Sequence, residues 1–502
     1  MSSNLKTEVC VLGAGPAGSA ISRRLAQLGH SVVVVEKSAF PRSHVGESLT
    51  GSILPLLDVL GLRSRMEEAG FLRPTSAMVH WAGDYDHDRP AHGEPGFQVD
   101  RGRFDKLLFD AAAECGVTRL NPAKILDISQ RDGRWIVDVR PSGKQLRVEA
   151  NLLVDATGRV NLLGGKRVRI SAPMLALWSY WTNAKIAGAA TRVESGAQEW
   201  FWGAPLPDGS FNATVFMDPR RYHEGIAQTG TLSAFYESLI AGSELLRCCM
   251  SGTRAGAVSI CDASCYISEE MATATTIKIG EAAFTIDPLS SQGVQTAIGT
   301  ALHAAAVIHT ISRRPENTRL ALDFYNSRQR DAANLHSASA STFYAQAAEY
   351  YGTDFWLRRA TGPHGQIFKS SHAQPLAPFP DPDTLIQISR DTRITNVPCL
   401  KDDFIVPARG VTHPNLDHPL VFLENVAVAP LLEQLPGSLG VRELMQRLVP
   451  IIGPDSARRV FIYFWNTGVL CAASAPSRSQ DSFADGRNLL GASRIPLRAS
   501  HT

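Results

Sequence analysis

The sequence predicts an α/β protein with a Rossmann-type nucleotide-binding domain, a β-sheet domain and a small C-terminal α/β appendage. Two observations carry this prediction: a strand–glycine turn–helix–strand pattern at residues 8–36, and a β-like aromatic stretch at residues 175–216. A proline-punctuated segment at residues 374–383 then separates the last part of the chain. The 502 residues, 44% of them hydrophobic, suffice for two or three domains with a large core.

Charge and cysteine usage argue against several other classes of protein. The net charge of +2 gives no bulk signal for nucleic acid or a membrane surface, and we expect neither as a partner. The eight cysteines are scattered, and Cys261 and Cys265 lack the second pair or nearby histidines of a zinc site. A short polar lead stands where a signal peptide would be. We therefore expect reduced thiols, no metal and a cytoplasmic location.

Residues 8–36 have the features of a dinucleotide-binding βαβ unit. An apolar strand enters the turn Gly13-Ala14-Gly15-Pro16-Ala17-Gly18, a helical segment follows, and a valine-rich strand ends at Glu36. Gly13 allows a tight turn, Gly15 lets the backbone approach a pyrophosphate, and Gly18 lets helix and strand pack closely. The helix N-terminus is a site for the pyrophosphate. Glu36 can accept hydrogen bonds from a ribose diol.

Two later segments accompany this unit. A buried strand ends in the glycine turn Asp155-Ala156-Thr157-Gly158, and residues 280–293 lead from another strand into a long apolar run. Because that run contains Gln295, Thr300 and His303, we expect a buried helix rather than a membrane span. Between these segments, residues 75–81 alternate weakly as a strand does, and residues 84–96 are charged and predict a loop.

In their order and spacing, the glycine fingerprint, the second glycine turn and the 280–288 segment resemble the FAD-dependent monooxygenases with a glutathione-reductase-like Rossmann fold. The resemblance covers residues 1 to about 360. It implies FAD as the cofactor and an oxygen-dependent reaction. It also implies a flavin body at 1–375 with an interleaved substrate sheet (about 75–100 and 170–265), a linker at 376–394, a small domain at 395–475 and a disordered tail at 476–502.

The resemblance also assigns residues to the cofactor. Arg101 matches the arginine that meets the phosphate or ribose of FAD, and Glu281 stands where the family usually has an aspartate. For Arg42, a solvated surface position is an equal alternative. The expected FAD-binding residues are Gly13, Ala14, Gly15, Ala17, Gly18, Glu36, Lys37, Arg42, Ser48, Arg101, Gly158, Glu281, Asp287, Gly293, Val294 and Gln295.

Three finer motifs resemble the flavin-dependent halogenase branch of that family: residues 45–49, 200–205 and 287–293. Two departures argue against halogenation. The relay lysine of halogenases falls near Arg73 and Pro74, and arginine does not replace it because a guanidinium stays protonated and non-nucleophilic. The glutamate of tryptophan halogenases falls at Ser290.

We therefore expect an enzyme that hydroxylates an electron-rich aromatic ring through a flavin C4a-hydroperoxide. Among similar proteins, the flavoproteins that oxygenate a peptidyl tryptophan in tryptophylquinone biogenesis (the maturation of quinohaemoprotein amine dehydrogenase) resemble it most. That resemblance implies a tryptophan-containing peptide or small protein as substrate and a radical enzyme in the same pathway. A second dinucleotide fingerprint is absent, so electrons come from an external reductase or from transient NAD(P)H docking.

The expected catalytic residues each have a structural alternative. Glu47 is a candidate base or a capping and ion-pairing residue, and Trp200 and Trp202 form a pocket wall or a packed sheet surface. His80 lines the active site or packs in the core. Two alternatives to the function also stand: a small-molecule halogenase or phenol/indole hydroxylase, and a non-catalytic flavin-binding peptide chaperone.

Overall fold

The computed structural model describes residues 3–90, 93–141, 143, 145–186, 188–361, 380–416, 418–423, 426–435 and 437–473. The predicted disordered tail at 476–502 lies outside these residues. As far as it is described, the chain divides into two compact units. The described residues up to 361 and from 393 to 422 belong to the first, and those at 380–392 and from 423 to 473 to the second.

The described chain contains both helices and strands, with the longest run of strands between α4 and α5. The helices are α1 Pro16–Gln27, α2 Leu54–Leu60, α3 Arg63–Glu68, α4 Arg101–Glu114, α5 Pro219–Thr229, α6 Leu232–Gly242, α7 Gly293–Arg313, α8 Thr318–Tyr351, α9 Asp354–Ala360, α10 Val428–Glu433, α11 Val441–Ile452 and α12 Pro454–Asn466. The strands are β1 Ser3–Leu12, β2 Val32–Val35, β3 Ser48–Leu49, β4 Ser76–Trp81, β5 Asp84–Pro90, β6 Phe97–Gln98, β7 Thr118–Leu120, β8 Ala123–Arg131, β9 Arg134–Pro141, β10 Leu146–Asp155, β11 Arg167–Arg169, β12 Leu175–Thr182, β13 Thr191–Ser195, β14 Glu199–Pro205, β15 Phe211–Met217, β16 Thr253–Asp262, β17 Tyr266–Ser268, β18 Thr276–Lys278, β19 Leu385–Ile388, β20 Arg393–Lys401, β21 Phe404–Thr412, β22 Phe422–Leu423, β23 Val426–Ala427, β24 Leu439–Gly440 and β25 Leu470–Ala472.

The first sheet contains the predicted βαβ unit. Its strand order is β7-β2-β1-β10-β9-β8, and β18 pairs with β10. The pairs that join β7, β2, β1, β10 and β18 are parallel, whereas β9 is antiparallel to β10 and to β8. The strands buried on both faces are near-continuous apolar runs, such as Val32–Val35, as parallel sheets require. The predicted Rossmann-type α/β fold is confirmed.

Helix α7 crosses the core of the first unit. By length and composition it could span a membrane, but 61% of its most apolar window is buried. Its residues Ile298, Ala301 and Val307 pack in the same apolar cluster as Ile21 of α1 and Val34 of β2. The predicted buried helix is therefore confirmed.

The second sheet has the order β16-β12-β15-β14-β13-β4-β5. One face packs on α8 and α9 through Trp81, Trp200, Trp202, Tyr344 and Trp356. The other face packs on α6 through a separate cluster. The expectation of a loop at 84–96 is wrong for its first half, because residues 84–90 form β5 at the edge of this sheet. An edge strand faces solvent, which explains its charged composition.

The hairpin of β20 and β21 packs on the first unit, although it follows the segment predicted as a linker. Ile405 is fully buried in the core cluster that includes α7, and its backbone N–H donates to Thr310 Oγ1 of α7 at 2.8 Å. Arg24 of α1 also pairs with Asp403 in the turn. The structure thus divides the chain differently from the predicted boundaries at 376, 394 and 395, because apolar burial draws this hairpin to the flavin body.

The second unit combines a small sheet, of order β24-β19-β25, with helices α10, α11 and α12. Strand β19 occupies residues 385–388, within the predicted linker. The helices bury Leu432, Leu444 and Phe461. The predicted α/β character of this appendage agrees with these elements.

The hairpin contact predicts a specific loss of stability. Ile405→Ala removes a fully buried side chain, so we expect it to cost about 2–5 kcal/mol of unfolding free energy. Leu400→Ala changes a side chain on the same hairpin that is 44% exposed, so its cost should stay within about 0.5 kcal/mol. Urea unfolding followed by tryptophan fluorescence measures both, since seven of the eight tryptophans lie in the first unit and Trp465 in the second. Equal midpoints for the two variants would show that the hairpin is not part of this core.

Candidate active site

The glycine turn after β1 sits where the carboxyl ends of β1 and β10 meet. Gly13 has φ +95°, and a β-carbon on it would lie 2.7 Å from the carbonyl oxygen of Ala156. A β-carbon on Gly18 would lie 2.0 Å from the carbonyl oxygen of Gly13. Side chains do not fit at these distances, so glycine is required at both positions. The backbone of the turn, helix α1 and the second glycine turn are thereby brought into contact.

The N-terminus of α1 is open towards an anion. Gly15 occupies the N-cap position without a side-chain cap, and Pro16 follows it. Unpaired N–H groups and the positive end of the helix dipole favour a phosphate there. A β-carbon on Gly15 would lie 3.5 Å from Nη2 of Arg42, and the buried Nε of Arg42 finds no partner among the described residues. A guanidinium with a spare donor therefore stands beside the helix end.

Glu36 is buried at the end of β2 and is fixed by two backbone groups. Its Oε2 accepts from the N–H of Ala14 at 2.9 Å and its Oε1 from the N–H of Ser38 at 2.8 Å. Each oxygen keeps a lone pair, which leaves room for a ribose hydroxyl. The predicted neighbour Lys37 is exposed directly after it.

Gly158 and Glu281 meet at the second glycine turn. Gly158 has φ +66°, and a β-carbon on it would lie 3.8 Å from Oε2 of Glu281. Arg159 Nε donates to Oε1 of Glu281 at 3.1 Å. The glutamate that replaces the expected aspartate thus has a protein partner, while its carboxylate borders the cleft.

The segment before α7 presents another open helix end. Asp287 accepts from the N–H of Leu289 at 3.0 Å and from the hydroxyl of Tyr344 at 2.7 Å, and burial raises the pKa of its carboxyl. Helix α7 then begins at Gly293 without a side-chain cap. Gln295 donates to Thr50 Oγ1 at 2.8 Å, but its buried Oε1 has no partner among the described residues.

The glycine turns and open helix ends fit a flavin dinucleotide. The backbone cradle at Gly13 and the spare donor of Arg42 suit the pyrophosphate. The unused acceptor of Gln295 and the N–H groups of Gly293 and Val294, at the start of a helix without a side-chain cap, suit the polar edge of the flavin ring. Ala14 and Ala17 lie within the turn and the first turn of α1. Ser48 begins β3 and accepts from Gln98 Nε2 at 3.3 Å.

Arg101 is held by protein groups, unlike a side chain that is free to bind a cofactor. Its Nε and Nη2 donate to both oxygens of Asp105, at 2.9 and 3.2 Å, and its Nη1 donates to the carbonyls of Val45 and Gly46. A β-carbon on Gly46, which has φ +101°, would lie 3.0 Å from this Nη1. Its Nε and Nη2 are thus engaged by Asp105 and its Nη1 fixes the 45–46 loop, and a cofactor contact stays a prediction.

Glu47 links that loop to the second sheet. The side chain is 1% exposed, and its Oε1 accepts from Tyr180 Oη at 2.7 Å and Asn212 Nδ2 at 3.1 Å. Its Oε2 accepts from the N–H of Gly46 at 2.8 Å and from Asn212 Nδ2 at 3.2 Å. Burial, and then the adjacent carboxylate, raise the pKa of Tyr180, which keeps its hydroxyl protonated as a donor.

Trp200 and Trp202 lie on the same sheet face as Tyr180 and Asn212. Trp202 pairs across the sheet with Thr214 and Val193, and Ala204 with Asn212. Trp200 is fully buried and stacks on Phe216 with 3.9 Å between ring centroids. Both indole N–H groups are buried without a partner among the described residues. This face therefore offers unused donors as well as apolar surface.

His80 lies on the opposite face, which corrects its assignment to the catalytic group. In the parallel pair of β4 and β13, Val79 stands opposite Val193 and His80 opposite Glu194. Neighbouring strand residues point to opposite faces, so Val79 shares the face of Trp202 and His80 does not. His80 instead pairs with Glu244 at 3.4 Å, directly beyond α6.

None of the seven described strands of the second sheet contains a lysine, so the face with the two tryptophans has none either. Near the start of β4, Arg73 donates to the carbonyl of Pro95 at 2.6 Å and pairs with Glu94 at 3.3 Å. Its guanidinium also lies 4.7 Å from the ring centre of Phe97. Arg73 is thus held by an ion-pair network, and Pro74 beside it has no reactive group.

A dinucleotide cradle together with an aromatic sheet face fits the flavin-dependent enzymes that act with oxygen. The sequence matches the tryptophan halogenase family over residues 8–95 and 87–373. The chain belongs to that family. FAD is its cofactor, as predicted.

Two similar proteins are halogenases by their stated names. Tryptophan 2-halogenase of Chondromyces crocatus is 31% identical over 339 residues, which cover 64% of each chain. The match thus spans less than two thirds of that relative. The flavin-dependent halogenase CmlS has the same fold, with a TM-score of 0.77, 23% identity and coverage of 96% of this chain and 98% of its own.

A second solved structure has a different stated activity. The peptidyl tryptophan dihydroxylase QhpG, described as essential for tryptophylquinone cofactor biogenesis, aligns with a TM-score of 0.69 and 25% identity. The alignment covers 92% of this chain and 99% of QhpG.

Sequence analysis missed three groups of the site: Tyr180, Asn212 and Tyr344. The alternation of β12 and β15 could have placed the first two on one face. Their pairing with Glu47 depends on contacts across 133 and 165 residues, which local patterns do not encode.

The glycine cradle predicts a selective loss of cofactor binding. Gly15→Ala leaves the apoprotein fold intact, since Gly15 has extended backbone and the nearest atom to its β-carbon is 3.5 Å away. The added methyl group obstructs the pyrophosphate, and overpacking of about 1–3 kcal/mol raises the FAD dissociation constant roughly 5- to 150-fold. Fluorescence titration of the apoprotein with FAD measures it. Gly299→Ala, where nothing lies within 4 Å, is the control and should bind FAD normally. Normal binding by Gly15→Ala would refute the cradle.

The Glu47 network predicts a stability difference between two tyrosine substitutions. Tyr180→Phe deprives a buried carboxylate of its shortest donor, and we expect it to cost about 1–3 kcal/mol. Tyr350→Phe removes the same hydroxyl from a side chain that is 57% exposed and should cost less than about 0.5 kcal/mol. Urea unfolding midpoints compare the two. If both variants match the wild type, the hydrogen bond to Glu47 contributes nothing to the native state.

Proposed function

We propose that this protein is an FAD-dependent monooxygenase that hydroxylates an electron-rich aromatic ring and does not halogenate it. The observation that carries the proposal is the absence of lysine from the described strands of the second sheet, with Arg73 and Pro74 just before β4 where the relay lysine would fall. A halogenation relay needs a nucleophilic amine that holds the oxidised halide. Arg73 cannot serve, because its guanidinium stays protonated and is engaged by Glu94 and Pro95.

The bound cofactor, once reduced, supplies electrophilic oxygen derived from O₂. The protein's residues supply the environment. Trp200, Trp202 and Phe216 form an apolar wall, packed between the second sheet and helices α8 and α9, that excludes water. The free indole N–H groups on this wall can orient a carbonyl or hydroxyl of the substrate. Glu47 holds the 46–47 loop against Tyr180 and Asn212, so that the wall and the cofactor loop keep one geometry.

For the substrate, we propose a tryptophan side chain of a peptide or small protein. The likeness to QhpG across nearly the whole chain supports this choice, together with the missing lysine. Such a substrate places the enzyme beside a radical enzyme in quinone cofactor maturation. The electrons come from a separate flavin reductase or from transient NAD(P)H docking, since the described chain has one βαβ fingerprint, at Gly13–Gly18.

Halogenation of a small molecule is the second candidate function. The stated activity of the Chondromyces relative and the family match favour it. It requires that a group other than a lysine on this sheet face carry the halide oxidant. A non-catalytic flavin-binding chaperone is the third candidate. It would bind FAD and a peptide without adding oxygen to the peptide.

Mass spectrometry of the product separates these functions. The holoenzyme, a flavin reductase, NADH and bromide are incubated with tryptophan-containing peptides and with free tryptophan. We expect a peptide mass gain of whole oxygen atoms, the same with and without bromide. The Chondromyces tryptophan 2-halogenase, run in parallel on free tryptophan, is the control for bromination.

Each contrary outcome identifies the part that fails. A brominated product refutes hydroxylation as the reaction. Oxygenated free aromatics with unchanged peptides refute the peptide substrate but leave the monooxygenase. Unmodified products from every substrate, with FAD bound, favour the chaperone.

A further inference from the structure

Two adjacent cysteines lie behind the second sheet, on the face away from Trp200 and Trp202. Cys248 and Cys249 belong to the short helical turn Arg247–Ser251 that follows α6. Cys249 is 0% exposed and packs in the cluster between the sheet and α6. Cys248 is partly exposed. Both thiols are free, and the outer one is open to small solutes.

A buried guanidinium faces the outer thiol. Arg192, on β13, is 6% exposed, and its Nη1 lies 2.9 Å from Sγ of Cys248 and 2.8 Å from the carbonyl oxygen of Leu245. An arginine stays charged when buried. A fixed cation at hydrogen-bond distance stabilises a thiolate over a thiol.

The inner cysteine adds to this effect. The pKa of Cys248 is lowered, first by a hydrogen bond from the Cys249 thiol and then by Arg192, whereas the same hydrogen bond raises the pKa of Cys249. Both effects favour the thiolate form of Cys248 and the protonated form of Cys249.

The surrounding charges are otherwise matched. Glu194 of β13 accepts from the hydroxyl of Ser243 and from the N–H groups of Glu244 and Leu245. Glu244 pairs with His80 of β4. From β15, the buried Phe211 ring lies 5.6 Å from the Arg192 guanidinium.

We propose that Cys248 is a peroxide-reactive thiolate, a modification site separate from the flavin chemistry. Its sulfur attacks hydrogen peroxide, the S–O bond forms as the O–O bond breaks, and the other oxygen leaves as hydroxide into the solvent, where buffer protonates it. Sulfur loses two electrons and the peroxide gains them, which gives a sulfenic acid. Flavoproteins that reduce O₂ without consuming substrate release this peroxide. Thiol reductants reverse the oxidation.

The test maps thiol reactivity in the full-length holoenzyme. Iodoacetamide labelling followed by peptide mass spectrometry is measured between about pH 5 and pH 10, and brief hydrogen peroxide treatment is followed by dimedone trapping. We expect Cys248 to alkylate with a midpoint below about pH 7.5 and to carry the dimedone adduct. Cys261, also partly exposed but with a pKa raised by burial, is the matched internal control.

Two variants address the cause. Cys249→Ala removes the thiol donor and Arg192→Gln removes the cation. We expect each to slow alkylation of Cys248 at neutral pH by about tenfold or more, since one pKa unit changes the thiolate fraction about tenfold. Cys261→Ser should leave it unchanged. If Arg192→Gln fails to fold, the alkylation midpoint of Cys248 in the wild type and its dimedone adduct relative to Cys261 decide.

The proposal is overturned if Cys248 alkylates with the midpoint of an ordinary thiol, about pH 8.5. It is equally overturned if the dimedone adduct on Cys248 does not exceed that on Cys261. Neither result bears on the reaction proposed for the flavin site.

Discussion

The rest of the structure depends on a close approach of backbone to backbone at one end of the first sheet. Gly18 packs so near the carbonyl of Gly13, and Gly13 so near Ala156, that a single methyl group at either would separate them. Gly280 stands beside this junction, since a β-carbon on it would lie 3.2 Å from Cβ of Ala17. Three chain segments that are far apart in sequence thus meet in one cradle. Their close packing fixes the direction in which the N-terminus of α1 points.

The second constraint is a buried carboxylate that belongs to neither sheet. Glu47 reaches from the loop beside Arg101 to donors on β12 and β15. Burying such a group without partners would cost several kcal/mol, and four hydrogen-bond contacts offset that cost. The 45–47 loop and the tryptophan face are consequently held at a fixed separation. Rearranging either would leave the carboxylate unpaired, so the site is rigid where the two meet.

The structural features that could be predicted from the sequence were those encoded by residues close together in the chain. Gly13, Gly15 and Gly18 encode their turn locally, and the alternation around Trp200 and Trp202 encodes a strand face. The placement of His80 was not readable, because it depends on the register of β4 against β13. The strand at 84–90 escaped notice because an edge strand tolerates charge. The hairpin at Ile405 was assigned to the C-terminal domain. The prolines at 374–383 mark a break in the chain, but they do not show that the chain packs again on the first unit after it.

That hairpin constrains how the protein can be made. The ribosome releases the chain from its N-terminus, so β19 of the second unit emerges before Ile405, which completes the core of the first. The core of the first unit therefore stays incomplete, with apolar surface on α7 uncovered, after strand β19 of the second unit has left the ribosome. The second unit then waits in turn for α10 to α12. The residues of the two units are therefore synthesised in an interleaved order rather than one unit after the other.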